Sequence, residues 1–302
     1  MTLVAAIDCG TNTVKLLIGD LPDVAVRETR MVRLGQDVDR TGRLADAALA
    51  RAFAAIDEYA ALIAAHDVQR IRFCATSATR DAANAQAFSE GVFERLGVRP
   101  EVLTGAEEAA IAFDGAVRHL ATAPAHPVLV IDVGGGSTEL ILGDARPRSA
   151  DSIDLGSVRL HERHLHDDPP TAEQVAACVA DIDAALDGCP VDPGEAATVV
   201  GIAGTVTTLA AGVLDLPAYD RDALDQQVLR IDDVLATVDE IVAMPVARRL
   251  DLPYLHPGRA DVIGAGALIL DRLVDVLPLA TDVLVVSEHD ILDGIAWDLA
   301  PA

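Results

Sequence analysis

One segment of this 302-residue chain occurs twice. Residues 4–20 read VAAIDCGTNTVKLLIGD and residues 128–144 read VLVIDVGGGSTELILGD, with seven of seventeen positions identical in register. Each copy is an apolar run, an aspartate (Asp8 or Asp132), a turn of small residues and a second apolar run. That pattern predicts a β-hairpin with a Gly-rich turn. A turn of Gly, Ser, Thr and Asn lets several backbone N–H groups approach one anion, because nothing bulky intervenes. Two copies a domain apart predict a duplicated α/β unit, its two turns facing each other across a cleft and gripping phosphoryl groups.

The remaining pattern fits two such units. In each half a strand triplet is followed by alternating helices and strands, which predicts mixed sheets flanked by helices. We expect one domain over residues 1–124 and a second over 125–287. The stretch ATAPAHP at 121–127 serves as linker, and a final helix within 288–302 packs back on the first domain. The uncharged run 196–214 has the length of a membrane span. Its four Thr and three Gly instead suit a buried strand turning into a buried helix. No secretory signal is visible, since Asp8 interrupts the first apolar run. Four cysteines without metal-binding spacing read as reduced thiols of a cytoplasmic protein.

Charge narrows the ligand. The net charge of −25 excludes non-specific binding of a nucleic-acid polymer, which needs a basic stripe. Residues 1–126 hold 13 basic and 17 acidic side chains, whereas residues 127–302 hold 10 and 31. A polyanion therefore approaches along the N-terminal half, or with a divalent cation screening the other.

The turns supply the candidate site. In the second, Gly134, Gly135, Gly136 and Ser137 are bracketed by Asp132 and Glu139, two hard carboxylates suited to Mg²⁺ (or Mn²⁺). In the first, Thr11, Asn12 and Thr13 line the turn after Asp8, a further metal ligand. Lys15, the only lysine, aligns with Glu139 and is expected on phosphate. A third small-residue turn, GIAGTVTT at 201–208, opens a helix, so Gly204 and Thr205 are candidate anion contacts. Arg80 and Arg159 are candidate clamps, since a guanidinium grips phosphate with two hydrogen bonds.

Taken in order, IDCGTNTVKLLI, VIDVGGGSTELIL and VVGIAGTVTTLA resemble the phosphate-1, phosphate-2 and adenosine motifs of the acetate and sugar kinase, Hsp70 and actin superfamily. The segments ATSATR (75–80), LTGAEEA (103–109) and GRADV (258–262) are similar to those of the exopolyphosphatase and guanosine pentaphosphate phosphohydrolase (Ppx/GppA) family. The resemblance implies two actin-like (ribonuclease H-like) domains with five-stranded sheets. It also implies Mg²⁺-dependent release of terminal phosphate from polyphosphate or from pppGpp. It makes Glu108, the second Glu of the GAEEA segment, the general base; Glu107 alternatively complements the helix dipole. It further implies a homodimer. Many longer family members carry an additional HD-type helical region, which is not found here, so a preference for short polyphosphate is expected. A non-catalytic sensor of ppGpp or polyphosphate and an ATP-dependent small-molecule kinase are the competing classes.

Overall fold

The computed structural model describes residues 3–299. It divides into two compact units, one running to Gly115 and resuming at Ile291, the other spanning Ala116–Asp290.

The first unit opens with β1 (Val4–Cys9), β2 (Thr13–Asp20) and β3 (Asp23–Met31), an antiparallel meander. A single turn α1 (Val38–Thr41) and the long α2 (Asp46–Ala64) lead to β4 (Arg70–Ala75). The turn α3 (Ser77–Arg80), α4 (Ala85–Leu96), the short β5 (Glu101–Val102) and α5 (Gly105–Arg118) follow. The sheet order is β3-β2-β1-β4-β5, with β4 and β5 parallel to β1. Apolar side chains of β1 and β2 are buried on both faces, which explains their near-continuous hydrophobic runs. The unit boundary falls inside α5, not in the 121–127 stretch expected to link the halves.

The second unit repeats the plan with β6 (Val128–Val133), β7 (Thr138–Gly143) and β8 (Pro147–Ile153). Then come α6 (Ser157–His164), α7 (Ala172–Leu186), β9 (Thr198–Ile202) and α8 (Ala203–Val213). The chain continues through α9 (Arg221–Leu224), β10 (Val228–Arg230), α10 (Ile231–Ala243), α11 (Val246–Arg249), α12 (Ile263–Val276) and β11 (Val283–Val286). The uncharged run is thus a strand and a helix. No helix among the described residues is long and apolar enough to cross a membrane.

This sheet has six strands, β10-β11-β9-β6-β7-β8, where five were expected. The extra one, β10, is three residues long and pairs only with β11, too short to leave an alternating pattern. The last helix, α13 (Ile291–Leu299), lies in the first unit and packs on β1, β2 and β4.

The duplication extends to a bulge. Register shifts at Ile18/Gly19 and at Leu142/Gly143. A Cβ at Gly19 would sit 2.5 Å from the Asp23 carbonyl, and one at Gly143 would sit 2.3 Å from the Arg146 carbonyl. Both copies keep glycine there because the third strand's backbone occupies the space.

Candidate active site

In the first unit the β1–β2 turn is closed by the Gly10 N–H donating to the Thr13 carbonyl at 2.9 Å. The carbonyls of Thr11 and Asn12 accept from Gly35, Val32 and Arg33 N–H groups at 2.8–3.0 Å. The N–H groups of Thr11 and Asn12 donate to no acceptor among the described residues. Inward carbonyls and uncommitted N–H groups make a turn able to take an anion. Thr11, Asn12 and Thr13 are all buried.

Register places Asp8 directly opposite Lys15, so the two side chains share a face. Lys15 Nζ lies 3.7 Å from Asp8 Oδ2. Both residues were assigned to ligands from sequence, and the structure shows that they pair with each other. The neighbouring Cys9 thiol is pushed well up by burial and by the Asp8 charge, which keeps it unreactive.

Beside this turn, the Thr76 N–H donates to the Cys9 carbonyl at 3.1 Å and carries the chain into α3. Arg80 Nη1 donates to the Leu103 carbonyl at 2.9 Å and to Glu108 Oε2 at 3.0 Å. Glu108 is only 8 % exposed. Burial raises its pKa; hydrogen bonding and charge from Arg80, then a hydrogen bond with Thr76, pull the other way without cancelling it. A carboxylate whose burial raises its pKa is a stronger base than a free one, as a general base requires.

Glu107 does something else. Its Oε2 accepts from the Thr104 N–H at 2.9 Å and from the Thr104 hydroxyl at 2.8 Å, while its own N–H donates to that hydroxyl at 3.3 Å. This is a capping box at the start of α5. Those bonds hold the Glu107 carboxyl below its usual range. Adjacent glutamates thus divide into a helix cap and a buried carboxylate.

In the second unit the glycine turn is closed in the same way, Gly134 N–H to the Ser137 carbonyl at 3.0 Å. The carbonyls of Gly134 and Gly135 accept from the N–H groups of Ser157, Val158 and Arg159, at 2.9–3.2 Å. Arg159 Nε takes the Gly136 carbonyl at 2.8 Å. The N–H groups of Gly135, Gly136 and Ser137 donate to no acceptor among the described residues. The predicted clamp Arg159 therefore braces this turn from behind, with Asp154 3.6 Å from its Nη2.

Packing against this turn also requires a glycine at 156. A Cβ on Gly156 would lie 2.3 Å from the Gly135 carbonyl oxygen, so the start of α6 docks on the turn's backbone.

Asp132 stands directly opposite Glu139. Glu139 is buried, and its Oε1 accepts from the Ser137 and Ser152 hydroxyls, both at 2.7 Å. Two carboxylates opposite each other on one face are a like-charge pair. A hard divalent cation fits this pair by charge and by donor type, since Mg²⁺ takes one or two carboxylates and completes its shell with water and substrate oxygens.

At the third turn, Thr205 is buried against α12: a Cβ on Gly266 would meet its Oγ1 at 2.8 Å. Gly204 is covered by Arg259, whose Nη1 would lie 1.9 Å from a Cβ there. Arg259 lies at the start of α8, and burial lowers its pKa against the charges of Tyr219, Glu288 and Asp290. Its segment, GRADV, was noted in the sequence, yet this arginine was not singled out.

Among known proteins, the model described as the Ppx/GppA phosphatase family matches residues 14–301. Exopolyphosphatase 2 of Mycobacterium tuberculosis is 45 % identical over 320 aligned positions, covering 99 % of each chain. The guanosine-5′-triphosphate,3′-diphosphate pyrophosphatase of Photobacterium profundum is 28 % identical over 94 % of this chain and 54 % of its own. A crystal structure of an exopolyphosphatase-like protein superposes with a TM-score of 0.96 at 43 % identity, covering 99 % of this chain and 98 % of that one. The Aquifex aeolicus Ppx/GppA enzyme gives 0.80 at 31 % identity, covering 97 % and 98 %.

Proposed function

The chain belongs to the Ppx/GppA phosphatase family, and on that premise we propose that it is an exopolyphosphatase releasing terminal phosphate from short inorganic polyphosphate. It is a phosphoanhydride hydrolase. The observation that carries this reading is Glu108, a buried carboxylate of raised pKa between Arg80 and Thr76, beside an N–H-lined turn.

Glu108 orients the attacking water and takes its proton as the water oxygen bonds to the terminal phosphorus. The bridging P–O bond breaks, orthophosphate is released and the shortened polyphosphate leaves with the bridging oxygen as its new terminal phosphate oxygen. In the first unit Thr11 and Asn12 offer backbone N–H groups to phosphate oxygens, and in the second Gly135, Gly136 and Ser137 do; fixed donors of this kind stabilise charge gathering on phosphoryl oxygens. Asp132 and Glu139 are the residues that would hold Mg²⁺ or Mn²⁺, whose charge offsets that of the phosphates. Arg259 adds a cation at the start of α8, suited to a phosphate oxygen. The four unpaired cysteines fit a reducing, cytoplasmic setting.

A second reading, removal of the 5′ γ-phosphate of pppGpp, is favoured by the resemblance to the Photobacterium enzyme. Phosphate release from short polyphosphate, long polyphosphate, pppGpp and ATP separates these. We expect short polyphosphate to be turned over fastest and the activity to disappear in Glu108→Ala. Preferred turnover of pppGpp would install the second reading; preferred turnover of chains of hundreds of phosphates would remove the length preference.

A further inference from the structure

We infer that Gly294 of α13 is a positioning residue for Glu108; this rests on the reading of Glu108 as general base. The contact is between two helices of one unit. A Cβ built on Gly294 would sit 2.1 Å from the Ile111 carbonyl oxygen and 2.7 Å from Ile111 Cγ2. The first of these is backbone of α5 and cannot rotate aside. Only glycine allows α13 to approach so closely, and Ile111 follows Glu108 by one helical turn.

The other side of α13 is anchored. Asp293, fully buried, receives both guanidinium nitrogens of Arg27 on β3, Nη1 to Oδ2 at 3.2 Å and Nη2 to Oδ1. Arg27 is itself largely covered, so this fork is hard to displace. The side chains of Ile291, Leu292 and Ile295 are buried as well. A fixed α13 means that any atom added at Gly294 displaces α5 rather than α13. Glu108 would then move off the Arg80 nitrogen now 3.0 Å away. A misplacement of about 1 Å at a reacting group can cost as much as about 100-fold.

The test is a cycle on the full-length enzyme, read as phosphate release. Gly294→Ala is expected to lower kcat on the order of ten-fold and to move KM by less than about two-fold. In a Glu108→Gln background the same substitution is expected to cost less than about two-fold more, because the group it positions is already gone. Asp298→Asn cuts only the exposed end of α13 from Arg72 and should leave kcat unchanged. Should Gly294→Ala not fold, Ile111→Ala loosens the same contact from the α5 side. It is expected to lower kcat about three-fold, again only while Glu108 is present. Unchanged kcat, or an equal loss in both backgrounds, overturns the inference. A silent Glu108→Gln overturns the general base and this inference with it; a large Glu108→Gln loss beside a silent Gly294→Ala overturns this inference alone.

Discussion

The β1–β2 and β6–β7 hairpins share their register, their turn closure and even their bulge, but differ at one cross-strand pair. In the first, Asp8 stands opposite Lys15 and the pair is neutral, 3.7 Å apart. In the second, Asp132 stands opposite Glu139, whose Oε1 accepts from two hydroxyls. The first copy sets a lysine against its aspartate; the second sets a carboxylate there, a donor pair of the kind a hard divalent cation takes. One duplicated scaffold thus carries two different charge pairs. On the function proposed above, the first unit supplies the base, Glu108, and the second supplies the cation ligands.

Four substitutions press on that division, from the largest effect to the smallest. Glu108→Gln in the first unit should lower kcat at least about 100-fold, the low end for losing a general base. A drop of a few-fold would place the base elsewhere. Since burial raises the folded-state pKa of Glu108, folding binds a proton there, and this part of stability is present below about pH 4.5 and lost as pH rises. The same variant should therefore gain Tm relative to wild type at neutral pH and gain little at pH 4.

Glu139→Lys converts the second pair into the first. It should raise the Mg²⁺ concentration for half-maximal activity by about 10–100-fold or more, the range seen when a metal site loses supporting contacts. An unchanged metal requirement would show that the like-charge pair is not where the cation sits.

Arg80→Ala removes the strongest influence opposing the raised pKa of Glu108. That pKa should rise further, so the acidic limb of the kcat/KM profile should move to higher pH, with activity lost more at pH 6 than at pH 8. A limb that stays in place would separate Arg80 from the ionisation of Glu108.

Lys15→Met leaves a buried Asp8 without its lysine, at a cost of about 1–3 kcal/mol. Denaturant titration should show that cost at pH 7 and its disappearance as Asp8 protonates at low pH. A loss independent of pH would mean that Lys15 contributes packing and not charge.

Much of this was legible in the sequence. The hairpins were readable because their apolar runs and small-residue turns repeat in register. The buried strand and helix at 196–214 were readable because Thr and Gly are poor company for lipid. What escaped was set by contacts distant in sequence. The need for glycine at 156 escaped, because it comes from the start of α6 docking on the turn's backbone, some twenty residues earlier in the chain. Arg259 acts through Gly204, far away along the chain. The pairing of Lys15 with Asp8 was also within reach, since counting the hairpin register places them opposite each other.

The division of tasks between the two hairpins is tested most directly by titrating Mg²⁺ into wild type, Asp8→Asn and Asp132→Asn while following thermal denaturation. Mg²⁺ should raise Tm in wild type and in Asp8→Asn, and should leave Asp132→Asn unmoved. A Mg²⁺ response retained by Asp132→Asn and lost by Asp8→Asn would place the cation in the wrong copy for this account.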